Sequence, residues 1–153
     1  MISFIHEASF NGQLILGTLI VLFTVMIHVT ALVLLVKLLK YLNVRFRTAW
    51  MVTKYSAIFS STVVIILLVH TAEAWAWAVV YIHLEQFESI ERALYFSVVT
   101  ATTLGYGDIT LSPEWQILST FEAMGGLILF GTSTAFMMAV IQSVVNDDDS
   151  TDS

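Results

Sequence analysis

The hydrophobic and polar positions divide the chain into three long apolar runs and one short one. A run of about 20 apolar residues is long enough to cross the hydrocarbon core of a bilayer as a helix. The first run, Leu14 to Val36, contains no formally charged residue, and the second, Ser56 to Tyr81, contains only Glu73. The third extends to about Val145. The pattern predicts an all-α integral membrane protein with three transmembrane helices.

A helix-start signal precedes the third run. Ser112 suits the N-cap, Pro113 the first helical position and Glu114 the first turn, since these residue types are favoured there. We therefore expect the third long helix to start at Pro113.

The short run lies between the second and third long runs, from Ile90 to Thr102. It has too few residues to cross a bilayer. Non-helical backbone at membrane depth is stable only where it is buried in protein or lines a watery path. This run therefore predicts a re-entrant helix beside a pore or cavity.

Composition supports the membrane assignment and excludes several function classes. The 153 residues are 58% hydrophobic and 12% charged, and the mean hydropathy is +0.85, whereas a soluble domain is about a quarter charged. A soluble enzyme is thereby disfavoured, and we expect no catalytic site and no cofactor. The absence of cysteine excludes a disulfide framework. The net charge of −6 argues against a nucleic-acid partner.

The basic residues indicate how the chain is oriented in the membrane. Five of the six fall in one short stretch: Lys37, Lys40, Arg45, Arg47 and Lys54. Basic residues concentrate in cytoplasmic loops, so we expect the N-terminus outside and the C-terminus in the cytoplasm. The segment before Leu14 has no Lys or Arg and thus lacks the basic region of a secretory signal.

The residues after the short run form a recognisable motif. From Thr102 to Asp108 the chain reads Thr-Thr-Leu-Gly-Tyr-Gly-Asp. Together with the preceding Ala93–Thr103 segment and the following Trp115, it resembles the pore domain of tetrameric potassium channels, whose filter is typically Thr-Val-Gly-Tyr-Gly. The resemblance extends from Phe87 to Gln142 and does not include the first helix. It implies a potassium-selective channel, a homotetramer in the lipid bilayer of a prokaryotic plasma (inner) membrane, with K⁺ as the permeant ion.

The resemblance also implies roles for individual residues. Backbone carbonyl groups would replace the water around K⁺, with the Thr103 hydroxyl forming the innermost ring. The implied filter residues are Thr103, Leu104, Gly105, Tyr106 and Gly107, of which the first four bind K⁺. The implied supporting residues are Tyr95, Phe96, Val99, Thr102 and Asp108, and we expect the Tyr106 ring to pack on Tyr95 and Phe96.

The filter segment can also be interpreted from its residues. Carbonyl groups that point at one axis require backbone angles of alternating hand, and glycine reaches positive φ at little steric cost, which explains Gly105 and Gly107. Leu104 stands where the family typically has valine. Val99 stands where some relatives carry a glutamate that bonds the aspartate after the filter, so Asp108 needs another partner or has none.

Two further groups of residues have alternative interpretations. Gly125, Gly126 and Gly131 form a gating hinge by family resemblance, or they let neighbouring helices pack closely. An intramembrane carboxylate calls for a partner, so Glu122, His70 and Glu73 form either a pH-sensitive network behind the filter or a structural hydrogen bond between helices. For His28 we expect a helix–helix contact.

These observations divide the chain into five segments. They are an extracellular segment 1–13, an extra transmembrane helix 14–40, a basic cytoplasmic loop 41–54, a pore domain 55–145 and a disordered acidic cytoplasmic tail 146–153. Within the pore domain we expect an outer helix at 55–82, a pore helix at 89–102, a filter at 103–107 and an inner helix at 113–145. A weakly selective cation channel and a non-conducting regulatory membrane subunit are the alternatives.

Overall fold

The fold consists of three long helices and one short helix. A computed structural model describes the backbone of residues 10–45 and 51–149 and the side chains of residues 10–41 and 52–143. The helices are α1 (Phe10–Arg45), α2 (Met51–His83), α3 (Ile90–Ala101) and α4 (Gln116–Asp149). Three segments are long and apolar enough to span a membrane: Phe10–Tyr41, Val52–His83 and Gln116–Ser143. The predicted all-helical architecture is confirmed, and the described residues contain no strand.

The short helix α3 lies against α2 and α4, and these two long helices also contact each other. α1 packs on α2 and α4, and within the described ranges its backbone does not come close to that of α3. α1 is therefore an addition to the outside of a unit formed by the other three helices.

The core lies where α3 is enclosed by the longer helices. Its buried residues are Ile20 of α1, Trp77, Ala78 and Tyr81 of α2, Ala93 and Phe96 of α3, Leu111 and, in α4, Leu118. The Phe96 ring packs edge-on against Tyr81 and also contacts Phe87. Lipid is as apolar as these side chains, so inside a bilayer the aromatic contacts hold α3 by van der Waals packing rather than by the hydrophobic effect.

α2 ends in a Schellman motif. The Gln86 N–H donates to the Tyr81 carbonyl and the Glu85 N–H to the Ile82 carbonyl, both at 3.0 Å, which satisfies carbonyl groups that the helix leaves unpaired. Glu85 occupies the left-handed position with φ +55°, where glycine is more usual. The chain thereby reverses toward α3.

α3 begins at a capped residue. The Ser89 hydroxyl accepts from the Arg92 N–H at 3.4 Å, and the cap has extended backbone angles, as expected of an N-cap. The backbone N–H of Glu91 and the Ser89 hydroxyl lower the pKa of the Glu91 carboxyl. The helix start is thus close to the predicted position 89.

α4 begins at Gln116, so the predicted start at Pro113 is wrong. The Ser112 hydroxyl donates to Gln86 Oε1 at 2.8 Å, and the Ser112 N–H donates to the same oxygen at 3.0 Å. The Trp115 N–H bonds the Ser112 carbonyl, which makes residues 113–115 a turn rather than a helix. Ser112 therefore joins the start of α4 to the end of α2.

Several predicted boundaries also differ. α1 includes residues 10–13 and continues to Arg45, and α2 begins at Met51, which shortens the predicted loop 41–54. α4 continues through residues 146–149, and the predicted disorder of the tail 146–153 stays a prediction. Residues 1–9, 46–50 and 150–153, with Arg47 among them, lie outside the described residues.

Candidate functional site

Residues 102–108, which we term the glycine loop, follow α3 directly. φ is positive at Thr103 (+58°), Gly105 (+51°) and Gly107 (+72°) but not at Leu104 or Tyr106. This alternation is the condition for successive carbonyl groups to point to one side. Glycine adopts positive φ easily, whereas Thr103 does so at a cost of roughly 1–2 kcal/mol. Sequence reasoning anticipated the two glycines but not the left-handed threonine.

The end of α3 anchors the glycine loop through its backbone. The Val99 carbonyl accepts from the N–H groups of Leu104 and Gly105 at 3.0 and 3.2 Å, and the Thr100 carbonyl accepts from the Thr103 N–H at 2.9 Å. The last carbonyl groups of a helix have no partner within the helix. The N–H groups of the glycine loop supply that partner, so Val99 supports the loop through main-chain hydrogen bonds.

A side-chain bond closes the other end of the glycine loop. The Tyr95 hydroxyl donates to Asp108 Oδ2 at 2.8 Å, and this bond raises the pKa of Tyr95. Asp108 thus has a partner although position 99 is valine. Tyr95 therefore tethers the end of the glycine loop to α3 through its hydroxyl group.

The expected packing of Tyr106 on Phe96 is not found in the single chain. The Tyr106 side chain is 67% exposed, and Leu104 beside it is 54% exposed. Phe96 is turned instead toward Tyr81 and Phe87, because it belongs to the core face of α3. The glycine loop therefore presents uncovered apolar side chains on the surface of the chain.

Replacing Tyr95 with phenylalanine tests the tether to Asp108. Because the variant cannot donate to Asp108, we expect amide hydrogen exchange to become several-fold faster in residues 104–108, measured by mass spectrometry on the purified protein. Tyr41→Phe, at the exposed end of α1, is the matched control and should leave exchange in the loop unchanged. Equal exchange in Tyr95→Phe and wild type would show that the tether does not order the loop.

Glu122 of α4 lies in one buried polar cluster. The Tyr81 hydroxyl donates to Glu122 Oε2 at 2.6 Å. Ser97 Oγ of α3 contacts both Glu122 Oε1 and, at 3.0 Å, the Ala74 carbonyl oxygen. All of these side chains are at most 1% exposed. The cluster joins α2, α3 and α4.

A second cluster, which we term the histidine cluster, consists of His28, His70, Glu73 and Ser133. His28 Nδ1 lies 2.8 Å from Glu73 Oε1, and His70 Nδ1 lies 2.8 Å from Glu73 Oε2. The two Nε2 atoms lie 3.2 and 3.0 Å from Ser133 Oγ. The expected contact of His28 with another helix is therefore present, and the cluster joins α1, α2 and α4.

Hydrogen bonds divide these residues into two clusters, with Glu122 in one and His70 and Glu73 in the other, and the predicted pH-sensitive network of all three stays a prediction. No hydrogen bond of Glu122 to His70 or Glu73 is found among the described side chains. A cavity of about 30 Å³ lies between them, lined by His70, Glu73 and Glu122, which is space for about one water molecule. The sequence analysis did not single out Tyr81, Ser97 or Ser133 as members of these clusters. Each is a polar residue in an otherwise apolar run, and that pattern could have indicated a buried hydrogen bond.

The glycines of α4 differ in their surroundings. A Cβ at Gly126 would lie 2.2 Å from the Ala101 carbonyl oxygen, and one at Gly125 would lie 3.3 Å from the Val21 side chain of α1. A Cβ at Gly131 would meet nothing within 4 Å. Close packing therefore accounts for Gly126, and the proposed hinge stays a prediction for all three.

Comparison with known proteins identifies the family. A family model described as an ion channel matches residues 63–143, which contain most of α2, all of α3, the glycine loop and most of α4. Searches of curated proteins and of solved structures found no match. The family match covers more than half of the chain, and the chain therefore belongs to this ion channel family.

Proposed function

We propose that the protein is a potassium-selective channel formed by four copies of the chain around a central pore. The observation that carries the proposal is the alternating hand of the backbone at Thr103, Gly105 and Gly107. Rings of backbone carbonyl groups replace the hydration shell of K⁺ without introducing full charges. Thr103, Leu104, Gly105 and Tyr106 are the residues whose carbonyl oxygens would bind K⁺, and Gly107 completes the loop.

The exposed glycine loop supports assembly into an oligomer. One chain supplies one strand of carbonyl groups, whereas a ring requires several strands around an axis. Leu104 and Tyr106 are more than half exposed in the single chain, and neighbouring subunits would cover them. The outward faces of the three long helices are apolar, as contact with lipid and with neighbouring subunits requires.

The charges at the Asp108 end of the glycine loop, which we term its mouth, favour the approach of cations. Two carboxylates, Glu88 and Asp108, and one guanidinium, Arg92, line a surface pocket beside the glycine loop, so acidic groups outnumber basic ones there. An excess of carboxylates in a cleft raises the local cation concentration. By the rule that basic loops stay in the cytoplasm, we place this mouth on the outer side and the C-terminus inside. The end of α3 points its partial negative charge, roughly half an elementary charge, at the start of the loop.

Ion flux into liposomes tests the proposal. Purified protein reconstituted with a KCl gradient should take up ⁸⁶Rb⁺, and external K⁺ but not Na⁺ should compete. In Gly105→Ala, a side chain must occupy a position with φ +51°, so we expect at least a tenfold loss of preference for K⁺ over Na⁺. Gly131→Ala, where an added Cβ meets nothing within 4 Å, is the control for adding one methyl group and should retain the preference.

The outcomes separate the alternatives. Equal uptake of Rb⁺ and Na⁺ by wild type would support the weakly selective cation channel. Folded oligomers that pass neither ion would support the non-conducting subunit and overturn the proposal. Crosslinking of the same preparation should give four chains per particle.

A further inference from the structure

The histidine cluster contains more ionisable groups than a helix contact needs. His28, His70 and Glu73 are buried or nearly so, with side-chain exposures of 1%, 11% and 7%. Ionisable groups inside a membrane are costly and usually functional. A single hydrogen bond would suffice to join two helices, yet here three such groups converge from α1 and α2.

The three side chains form the donor set of a transition-metal site. One ligand atom from each lies within 4.8 Å of the other two. Two imidazole nitrogens and one carboxylate oxygen are a known Zn²⁺ set that leaves a fourth position open. Around tetrahedral Zn²⁺ the ligand atoms stand about 3.3 Å apart, as bond lengths of about 2.0–2.1 Å require. Glu73 uses a different oxygen for each histidine, Oε1 for His28 and Oε2 for His70. Ion binding therefore requires the three ligand atoms, which lie within 4.8 Å of one another, to adjust to this spacing.

Contacts around the ligands fit the same interpretation. A histidine that binds a metal usually donates its other ring N–H to an oxygen, and Ser133 Oγ lies within 3.2 Å of both Nε2 atoms. One hydroxyl can accept from two N–H groups. The Phe130 ring stacks on His70 with centroids 4.1 Å apart and holds that imidazole in place.

The adjacent cavity supplies the remaining requirement. This cavity lies against His70 and Glu73 and has a volume of about 30 Å³. That volume is sufficient for one water molecule, which would be the fourth ligand. Thr24 and Glu122 line the same cavity and offer that water hydrogen-bond partners.

We propose that His28, His70 and Glu73 bind one divalent transition-metal ion of the zinc class, and that this ion fastens α1 to the pore-forming unit. His28 is on α1, which lies outside the family match at 63–143, whereas the other two ligands are within it. Ser133 extends the connection to α4. Metal occupancy thereby controls how firmly the added helix is held, whether or not the pore selects K⁺.

Metal binding can be measured without any transport assay. Tag-free protein is purified in detergent, stripped with EDTA and titrated with ZnCl₂ by calorimetry. We expect one Zn²⁺ per chain and a rise in the unfolding temperature. Co²⁺ at the same site should give the visible absorption of a tetrahedral nitrogen–oxygen environment, which adventitious surface binding does not produce.

Variants locate the site. Glu73→Gln and His28→Ala should abolish Zn²⁺ binding, and Ser133→Ala should weaken it by about 10–100-fold, the usual effect of removing a group that orients a ligand. His83→Ala is the control because His83 bonds the Val79 carbonyl, outside the cluster, and it should bind like wild type. If wild type binds no Zn²⁺ at micromolar concentrations, or if His28→Ala binds equally well, the proposal is overturned.

Discussion

Replacing Gly126 with alanine is expected to lower the free energy of unfolding by about 3 kcal/mol, the upper end of the range for overpacking. The added Cβ would lie 2.2 Å from the Ala101 carbonyl oxygen. That oxygen belongs to the backbone at the end of α3, so it cannot rotate away as a side chain would. To relieve this clash, α4 must move away from the end of α3, which holds the glycine loop. The loss should appear in denaturant titration of the purified protein and as a reduced fraction of oligomer.

Gly131→Ala is the matched control for this substitution. It also adds one methyl group to α4, but into space with nothing within 4 Å, so we expect no loss, and a gain of up to about 1 kcal/mol because alanine has a higher helix propensity than glycine. Equal losses in the two variants would mean that glycine flexibility in α4, rather than the approach to Ala101, determines stability.

Replacing Glu122 with leucine is expected to destabilise the protein by about 1–3 kcal/mol more than replacing it with glutamine. Leucine leaves the Tyr81 hydroxyl, which is fully buried, without its acceptor, and an unsatisfied buried group costs about that much. The glutamine amide can accept from Tyr81 and donate to Ser97, whose own proton can then go to the Ala74 carbonyl oxygen. Denaturant titration of both variants measures the difference.

A double variant tests whether the unsatisfied Tyr81 hydroxyl causes the loss of stability in Glu122→Leu. Tyr81→Phe together with Glu122→Leu removes donor and acceptor at once, and replacing both partners with apolar groups can be nearly neutral. We therefore expect it to recover much of the loss caused by Glu122→Leu alone. Additive losses would indicate that Glu122 acts through packing or through Ser97 instead.

The polar residues show where inference from the sequence stops. From the sequence, Glu122, His70 and Glu73 form either one network or a structural hydrogen bond between helices. In the structure Glu122 bonds Tyr81 and Ser97, whereas His70 bonds Glu73 and Ser133. Depth follows from position along a helix, but partners depend on how each helix is rotated about its axis. That rotation is set by packing, and the apolar runs, which are hydrophobic on nearly all sides, carry little signal for it.

Helix ends show a related limit. Ser112, Pro113 and Glu114 satisfy the local rules for a helix start, but Ser112 donates its N–H and its hydroxyl to Gln86, and α4 begins at Gln116. A local capping preference is worth about 1 kcal/mol. The two tertiary hydrogen bonds to Gln86 fix the orientation of Ser112 and can outweigh a preference of that size.

The sequence by itself determined the three long helices, the short helix α3 and the two glycines of the glycine loop. Membrane thickness restricts the length of a helix, and positive φ restricts the residue type at a position, so both can be inferred locally. Only the tertiary structure decided that Thr103 also turns left-handed, that Tyr95 holds Asp108 and that His28 of α1 bonds Glu73 of α2. These features depend on distances between residues far apart in the chain. Such distances are fixed when the helices pack and not before.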